Sequence, residues 1–308
     1  MSFSSAPDAR TLGRVAGALA LDEAFVEKDW FVVEAIRVLM GQATTDLMPV
    51  FSGGTSLLKG YGLIKRFSED LDFKLVLSDA FVGQSNNQQR KALGTFRDAL
   101  VGAWEAAGFE ITHVEARDGN GFIKVEMDYP SAIRHESLRP HIQAEISAKP
   151  PRLAVQDREL ASFVAQYRQL SPEVPSIPCV DPVETAADKL SAFAWRAIVR
   201  ERGGEKDDPT IVRHVHDLAV LESIASEDAR FGGLLNETLV ADSARGNGAV
   251  AHLPPKDRLA AMLAKLAEDD GYEGEYARFV EAMAFGGALP DFAAATAALD
   301  RLSAQLPN

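Results

Sequence analysis

Asp70 and Asp72 are separated by one apolar residue in DLDFKLVL, where Leu71, Phe73 and Leu75 alternate with Asp70, Asp72 and Lys74. A period of two marks a half-buried strand, so both carboxylates leave on its polar face. Hard divalent cations such as Mg2+ take oxygen ligands and commonly bridge one or two carboxylates to substrate phosphates. Two metals held this way can activate an attacking hydroxyl and stabilise a leaving pyrophosphate. A plain solvated strand face gives the same Asp-x-Asp pattern, and the pair alone does not separate the two readings.

About fifteen residues earlier, Gly53-Gly54-Thr55-Ser56 joins the apolar run LMPVFS to the helical pattern TSLLKGYGLI. Backbone N–H groups at such a junction point outward beside the positive end of the helix dipole. Glycine admits a phosphate close to the backbone, and two hydroxyls can donate to it. The plainer alternative is a tight turn with Thr55 or Ser56 capping the helix. It is not a Walker A loop, because the Gly-Lys-Ser/Thr ending is missing. Taken together, the turn and the acid pair suit a nucleoside triphosphate, with a phosphate cradle at one end and a metal site at the other. Glu145, on the polar side of HIQAEIS, is a candidate third acid.

The elements that position these groups read as follows. Residues 11 to 40 have a helical period, with Phe25, Trp30, Val33, Ile36 and Met40 on one stripe. Asn87 to Ala107 is a second helix, carrying Leu93, Phe96, Leu100 and Trp104 and ended by Gly108. FEITHVEARDGNGFIKVEMDY predicts a β-hairpin around Asp118-Gly119-Asn120-Gly121. LSPEVPSIPCVDP carries four prolines and reads as a linker; beyond it the pattern is helical to about residue 304. The predicted class is α/β (α+β): a mixed sheet flanked by helices over residues 1–170, a linker at 171–183, and an all-α domain over 184–308.

Composition sets outer bounds. Of 308 residues, 46% are hydrophobic and 25% charged, which predicts a globular protein with a substantial core. No stretch reaches the roughly 18 to 20 apolar residues of a bilayer-spanning helix, so no membrane partner is expected. The N-terminus has neither an apolar signal region nor a cleavage pattern, which predicts a cytoplasmic protein. The single cysteine, Cys179, excludes a disulfide framework and reads as incidental. A net charge of −13 argues against a general polyanion binder, though not against a local basic patch. His214 and His216 stand two apart and do not share a helix face, so they read as helix-surface histidines rather than a zinc site.

EKDWFVVEAIRVL, FSGGTSLLKGYGLIKRFSEDLDFKL, HIQAEIS, ETAADKLSAF and RHVHDL, in that order, resemble the AbiEii/AbiGii toxin family of nucleotidyltransferase-like proteins, which includes the MenT-type toxins. The resemblance runs from about residue 22 to residue 222. Its central motif looks like the DNA polymerase β-type nucleotidyltransferase core. The resemblance implies that Gly53, Gly54, Thr55 and Ser56 hold the triphosphate, with Lys59 and Arg66 as supporting cations. Asp70 and Asp72 would bind Mg2+, with Glu145 where such enzymes often have a third carboxylate. Lys189 matches a family lysine that would offset charge on the leaving group. Asp217 matches a family acid that would orient that lysine or touch the acceptor.

The implied activity is Mg2+-dependent transfer of a nucleotide from an NTP, by a toxin of a toxin–antitoxin or phage-defence pair. The acceptor expected by analogy is the 3′ end of tRNA, met by a basic cluster of Lys59, Lys65, Arg66, Lys74, Lys124 and Arg134. A cognate antitoxin would come from a neighbouring gene. The rivals are transfer to a protein or small-molecule hydroxyl, and a non-catalytic nucleotide-binding module.

Overall fold

The computed structural model describes residues 3, 6–205, 207–286 and 289–307. The chain divides into two compact units. The first comprises Met1–Gly62 and Phe67–Val180; the second comprises Leu63–Arg66 and Asp181–Asn308.

In the first unit, α1 (Ala9–Leu19) and α2 (Glu23–Met40) replace the single helix expected over 11 to 40. Ala20 takes a left-handed conformation at φ 53°, and Asp22 caps the new start by accepting from Ala24 N. Next come β1 (Leu47–Ser52), α3 (Gly53–Lys59), β2 (Asp70–Leu77), α4 (Asp79–Val82) and α5 (Asn86–Ala107). The hairpin strands are β3 (Glu110–Arg117) and β4 (Phe122–Asp128). β5 (Ile142–Ser147), β6 (Gln156–Leu160), α6 (Phe163–Tyr167) and β7 (Val174–Cys179) complete the unit.

The strands form one seven-stranded mixed sheet in the order β3-β4-β5-β2-β1-β7-β6. β2 pairs antiparallel with β1 and parallel with β5, at the centre of the sheet. Leu71, Phe73, Leu75, Ile142, Ala144, Ile146, Ile123, Val125 and Met127 alternate inward and are buried. α2 packs on α5 and β7, and the Trp104 indole of α5 donates to Ala35 O of α2 at 3.0 Å. The residues between those core positions point the other way and carry the polar groups of the site.

One expectation differs in kind. The proline-rich stretch 171–183 is not a bare connector, because β7 lies within it and pairs with β1 and β6. Val174, Ile177 and Cys179 are buried there while Pro175 stays exposed. A register shift against β6 falls at Pro175, while Pro178 stays in register opposite Asp157.

The second unit is helical among the described residues: α7 (Pro182–Val199), α8 (Arg213–Glu227), α9 (Phe231–Ala241), α10 (Pro255–Glu268), α11 (Gly271–Met283) and α12 (Phe292–Ser303). Asp181 and Pro182 start α7 as N-cap and first helical residue. α8 packs between α7 and α12. The short segment 63–66 lies in this unit, with Arg66 bridging to Ala284 and Phe285 N donating to Lys65 O at 2.8 Å.

Candidate active site

Gly53 takes φ +74° at the end of β1, and a Cβ there would stand 2.1 Å from Asp72 Oδ2. No other residue fits, because the carboxylate fills the space a side chain would need. The turn and the acid pair are thus one packed arrangement. β1 and β2 hold it in register, Ser52 opposite Asp72 and Phe51 opposite Phe73, with the two phenyl rings stacked 5.1 Å apart.

α3 begins at Gly53, two residues before the Thr55 or Ser56 cap expected from sequence, and the Ser52 side chain makes no cap hydrogen bond. Thr55 is fully buried; its hydroxyl donates to Asp70 O at 2.6 Å and lies 3.0 Å from Ser68 Oγ. It braces the start of β2 instead of pointing outward. Ser56 is buried as well, beside the Cys179 thiol. Burial, partly offset by that hydroxyl, pushes the thiol up to about 11. Gly53 is half-buried at this turn, whereas Gly54, Thr55 and Ser56 are buried, so neither hydroxyl is on the surface.

Lys59 departs furthest from its expected role. It is buried, ion-paired with Asp29, near Ala161 O at 3.3 Å, and its ammonium lies 3.7 Å from the Phe163 ring centroid. Burial depresses its pKa while Asp29 pulls it back. This lysine locks α3 to α2 and is not a cation turned toward a triphosphate.

On the polar face, Asp72 and Glu145 are register partners across β2 and β5, and Lys124 of β4 stands opposite Glu145 on its other side. Asp70 is opposite Gln143, whose amide donates to Glu145 Oε1 at 2.8 Å. Among the described residues no group of three or more His, Cys, Asp or Glu is placed to hold a metal. Glu145 is near in register but does not complete a cage with Asp70 and Asp72. The donor set still fits a divalent cation: two hard carboxylates on one half-exposed face, beside a glycine turn, with no soft ligand among them. Such a site would take its remaining ligands from phosphate and water.

Three further residues of this site were not singled out from sequence. Arg139 Nη1 bonds Asp70 Oδ1 at 2.5 Å. Its backbone N donates to Glu69 Oε1 at 3.3 Å, and its carbonyl accepts from Lys28 Nζ at 2.5 Å. Lys28 is fully buried and also binds Glu69 and His141 O. The signal was Glu27-Lys28-Asp29. Three successive charges span about 200° of a helix, so on the otherwise apolar α2 they cannot all face water. All three are buried, and Glu27 accepts from Ser131, Ala132 and Ile133.

The second unit holds a separate charged cluster. Asp217 of α8 is fully buried and accepts from Arg66 Nε and Nη2, both at 2.6 Å, while Lys189 Nζ of α7 lies 2.8 Å from its Oδ2. Burial alone would raise the Asp217 pKa, but Arg66 and Lys189 together hold it well below the usual carboxylate range. Burial pushes Lys189 down, against the pull of Asp217. Asp217 thus pairs directly with Lys189 and is fully enclosed. Arg66 is 3% exposed and braces this acid.

His214 and His216 are buried, not on the helix surface as expected, because α8 is covered on both sides by α7 and α12. Burial first, then the Lys189 charge, keeps His214 well below the ordinary imidazole range. His216 packs against Tyr276 and Phe279, its Nδ1 3.5 Å from Asp217 Oδ1.

Residues 37–298 match the family described as "Nucleotidyl transferase AbiEii toxin, Type IV TA system". The chain belongs to this family. It is therefore a nucleotidyltransferase of a toxin–antitoxin class, which implies an NTP substrate, a divalent metal and an antitoxin partner. Among solved structures, the chain is similar to MenT4, a nucleotidyltransferase toxin from Mycobacterium tuberculosis H37Rv, at 18% identity and a TM-score of 0.45, covering 96% of this chain and 99% of that one. It is also similar to a protein from H. pylori described as a nucleotidyltransferase, at 18% identity and a TM-score of 0.41, covering 91% of this chain and 93% of that one. No curated protein matches the sequence. No helix among the described residues is long and apolar enough to cross a membrane.

Proposed function

We propose that this AbiEii-family chain transfers a nucleoside monophosphate from an NTP to the 3′ end of tRNA in the cytoplasm, with Mg2+ as its metal, and is restrained by its antitoxin. The observation that carries the reading is the Asp72 carboxylate seated against Gly53, which joins the turn and the acids. Asp70 and Asp72 would hold the cation, with Glu145 as a neighbouring acceptor on the same face. Mg2+ bound there would neutralise phosphate oxygens and favour in-line attack at the α-phosphorus. The backbone of Gly53 and Gly54 would admit the phosphate chain, and the buried Thr55 ties the turn to Asp70 O at the head of β2. Lys189, oriented by Asp217 and Arg66, is the group assigned to offset charge on the departing pyrophosphate.

A second reading has specific support. Of the proposed basic cluster, Lys59 and Arg66 are buried and Lys124 is paired with Glu126 at 2.7 Å. With a net charge of −13, this favours an acceptor without a polyanionic backbone, a protein or metabolite hydroxyl. Incubation with α-labelled NTPs and separate pools of tRNA, protein and metabolites decides between them. Label in tRNA supports the first reading; label in protein or metabolite alone replaces it with the second.

A further inference from the structure

Arg139 belongs to no motif of the sequence, yet its side chain ends on one of the two acids assigned to the metal. We propose that Arg139 is a triphosphate ligand held in reserve: it covers Asp70 in the cation-free protein and turns to the phosphate oxygens of the NTP once a divalent cation occupies the acid pair. The inference rests on the nucleotidyltransferase reading of this site and names a further substrate-contacting residue within it.

The guanidinium and a bound cation would compete for one oxygen. The guanidinium lies 2.5 Å from Asp70 Oδ1, so a divalent cation on that oxygen would meet a fixed positive charge at contact distance. One of the two must give way. Arg139 is also built to pivot. The Arg139 backbone is fastened at both polar groups, the carbonyl by Lys28 and the N–H by Glu69, and Lys28 is fully buried. Its side chain is 37% exposed, so the stem can swing while its base stays fixed. The displaced guanidinium has one anion to turn to. Glu69, the other nearby acid, already binds the Lys28 ammonium and the Arg139 N–H, and it stands 4.0 Å from Arg139 Nε. A triphosphate brought in by the cation is the stronger anion, and a planar guanidinium fits its oxygens in bidentate fashion. The half-exposed pair with Asp70 is worth little, which lets the exchange run in both directions.

The test uses the full-length wild type, Arg139→Gln and Arg139→Lys, compared for equal melting temperature. Mn2+ binding without nucleotide is followed by electron paramagnetic resonance. Binding of α,β-methylene analogues of the four NTPs is followed by equilibrium dialysis at saturating Mn2+. The expected result for Arg139→Gln is opposite movement: Mn2+ bound about two- to fivefold tighter, the range of a half-exposed ion pair. The preferred NTP analogue is bound about tenfold or more weakly, as for loss of a hydrogen bond to a charged group. Arg139→Lys keeps wild-type Mn2+ affinity and part of the nucleotide affinity. Unchanged Mn2+ binding in Arg139→Gln, or unchanged nucleotide binding, overturns the inference while the site reading stands. A wild type that binds neither Mn2+ nor any analogue overturns the site reading, and the inference with it.

Discussion

Asp217→Asn is the perturbation that most sharply tests the second unit. The carboxylate is fully buried and its two oxygens accept three charge-assisted contacts, from Arg66 Nε and Nη2 and from Lys189 Nζ. Asparagine keeps the shape and removes the carboxylate charge that both cations contact. Breaking a buried ion pair from one side costs about 3–5 kcal/mol, because the surviving charge stays enclosed. At about 3 °C per kcal/mol, the melting transition of the variant falls by about 10–15 °C. Lys189→Met is the control: it leaves the Arg66–Asp217 fork intact, so no buried charge loses its last contact and the cost is smaller than that of Asp217→Asn.

The pH dependence has a definite sign. The depressed Asp217 pKa gives stability that is present above its ordinary value and lost as pH falls through its folded value. In Asp217→Asn, Lys189 loses the partner that opposes its depression, so it discharges at lower pH and relieves part of the strain. The deficit between variant and wild type is therefore largest near neutrality and narrows toward both extremes. Differential scanning calorimetry across pH reads this directly. A cost below about 1 kcal/mol, or one equal to that of Lys189→Met, would refute the account of Asp217 as the acid that holds two buried cations.

Gly53→Ala meets both a left-handed φ, costing about 1–2 kcal/mol, and the Asp72 carboxylate; the expected result is lost Mn2+ binding by electron paramagnetic resonance in a protein that still folds by circular dichroism. Thr55→Val removes the bond to Asp70 O at the head of β2. It should lower stability in urea by about 1–2 kcal/mol, and wild-type stability would show that this bond braces nothing. Cys179 is buried with its thiol pushed up to about 11. Labelling by a maleimide at pH 7 should therefore be seen only when the first unit opens, and rapid labelling of the native protein would contradict that burial.

Much of the frame was legible in the sequence because it rests on short-range periodicity. β2 runs from Asp70 to Leu77, as the alternation of DLDFKLVL requires, and α5 ends at Gly108 in a left-handed cap. The hairpin around Asp118–Gly121 formed for the same local reason. What was hidden depends on long-range partners. Nothing beside Lys59 in the chain shows that Asp29, thirty residues earlier, removes it from the surface. β7 reads as linker because its prolines dominate the composition, while its burial depends on β1 and β6. The buried histidines follow from distant elements that pack on α8, with Tyr276 and Phe279 of α11, about sixty residues downstream, against His216. Arg139 lies in an irregular stretch with no periodicity to expose it, and only the fold carries it to Asp70.

The central claim is nucleotidyl transfer that depends on the acids beside the glycine turn. Its most direct measurement supplies wild type and Asp72→Asn with each NTP, labelled in parallel at the α- or γ-phosphate, together with Mg2+ and a mixed pool of cellular RNA and protein. The account predicts that wild type moves the α-label and not the γ-label into an acceptor, and that Asp72→Asn moves neither. Transfer of the γ-label, or undiminished α-transfer by Asp72→Asn, would contradict it.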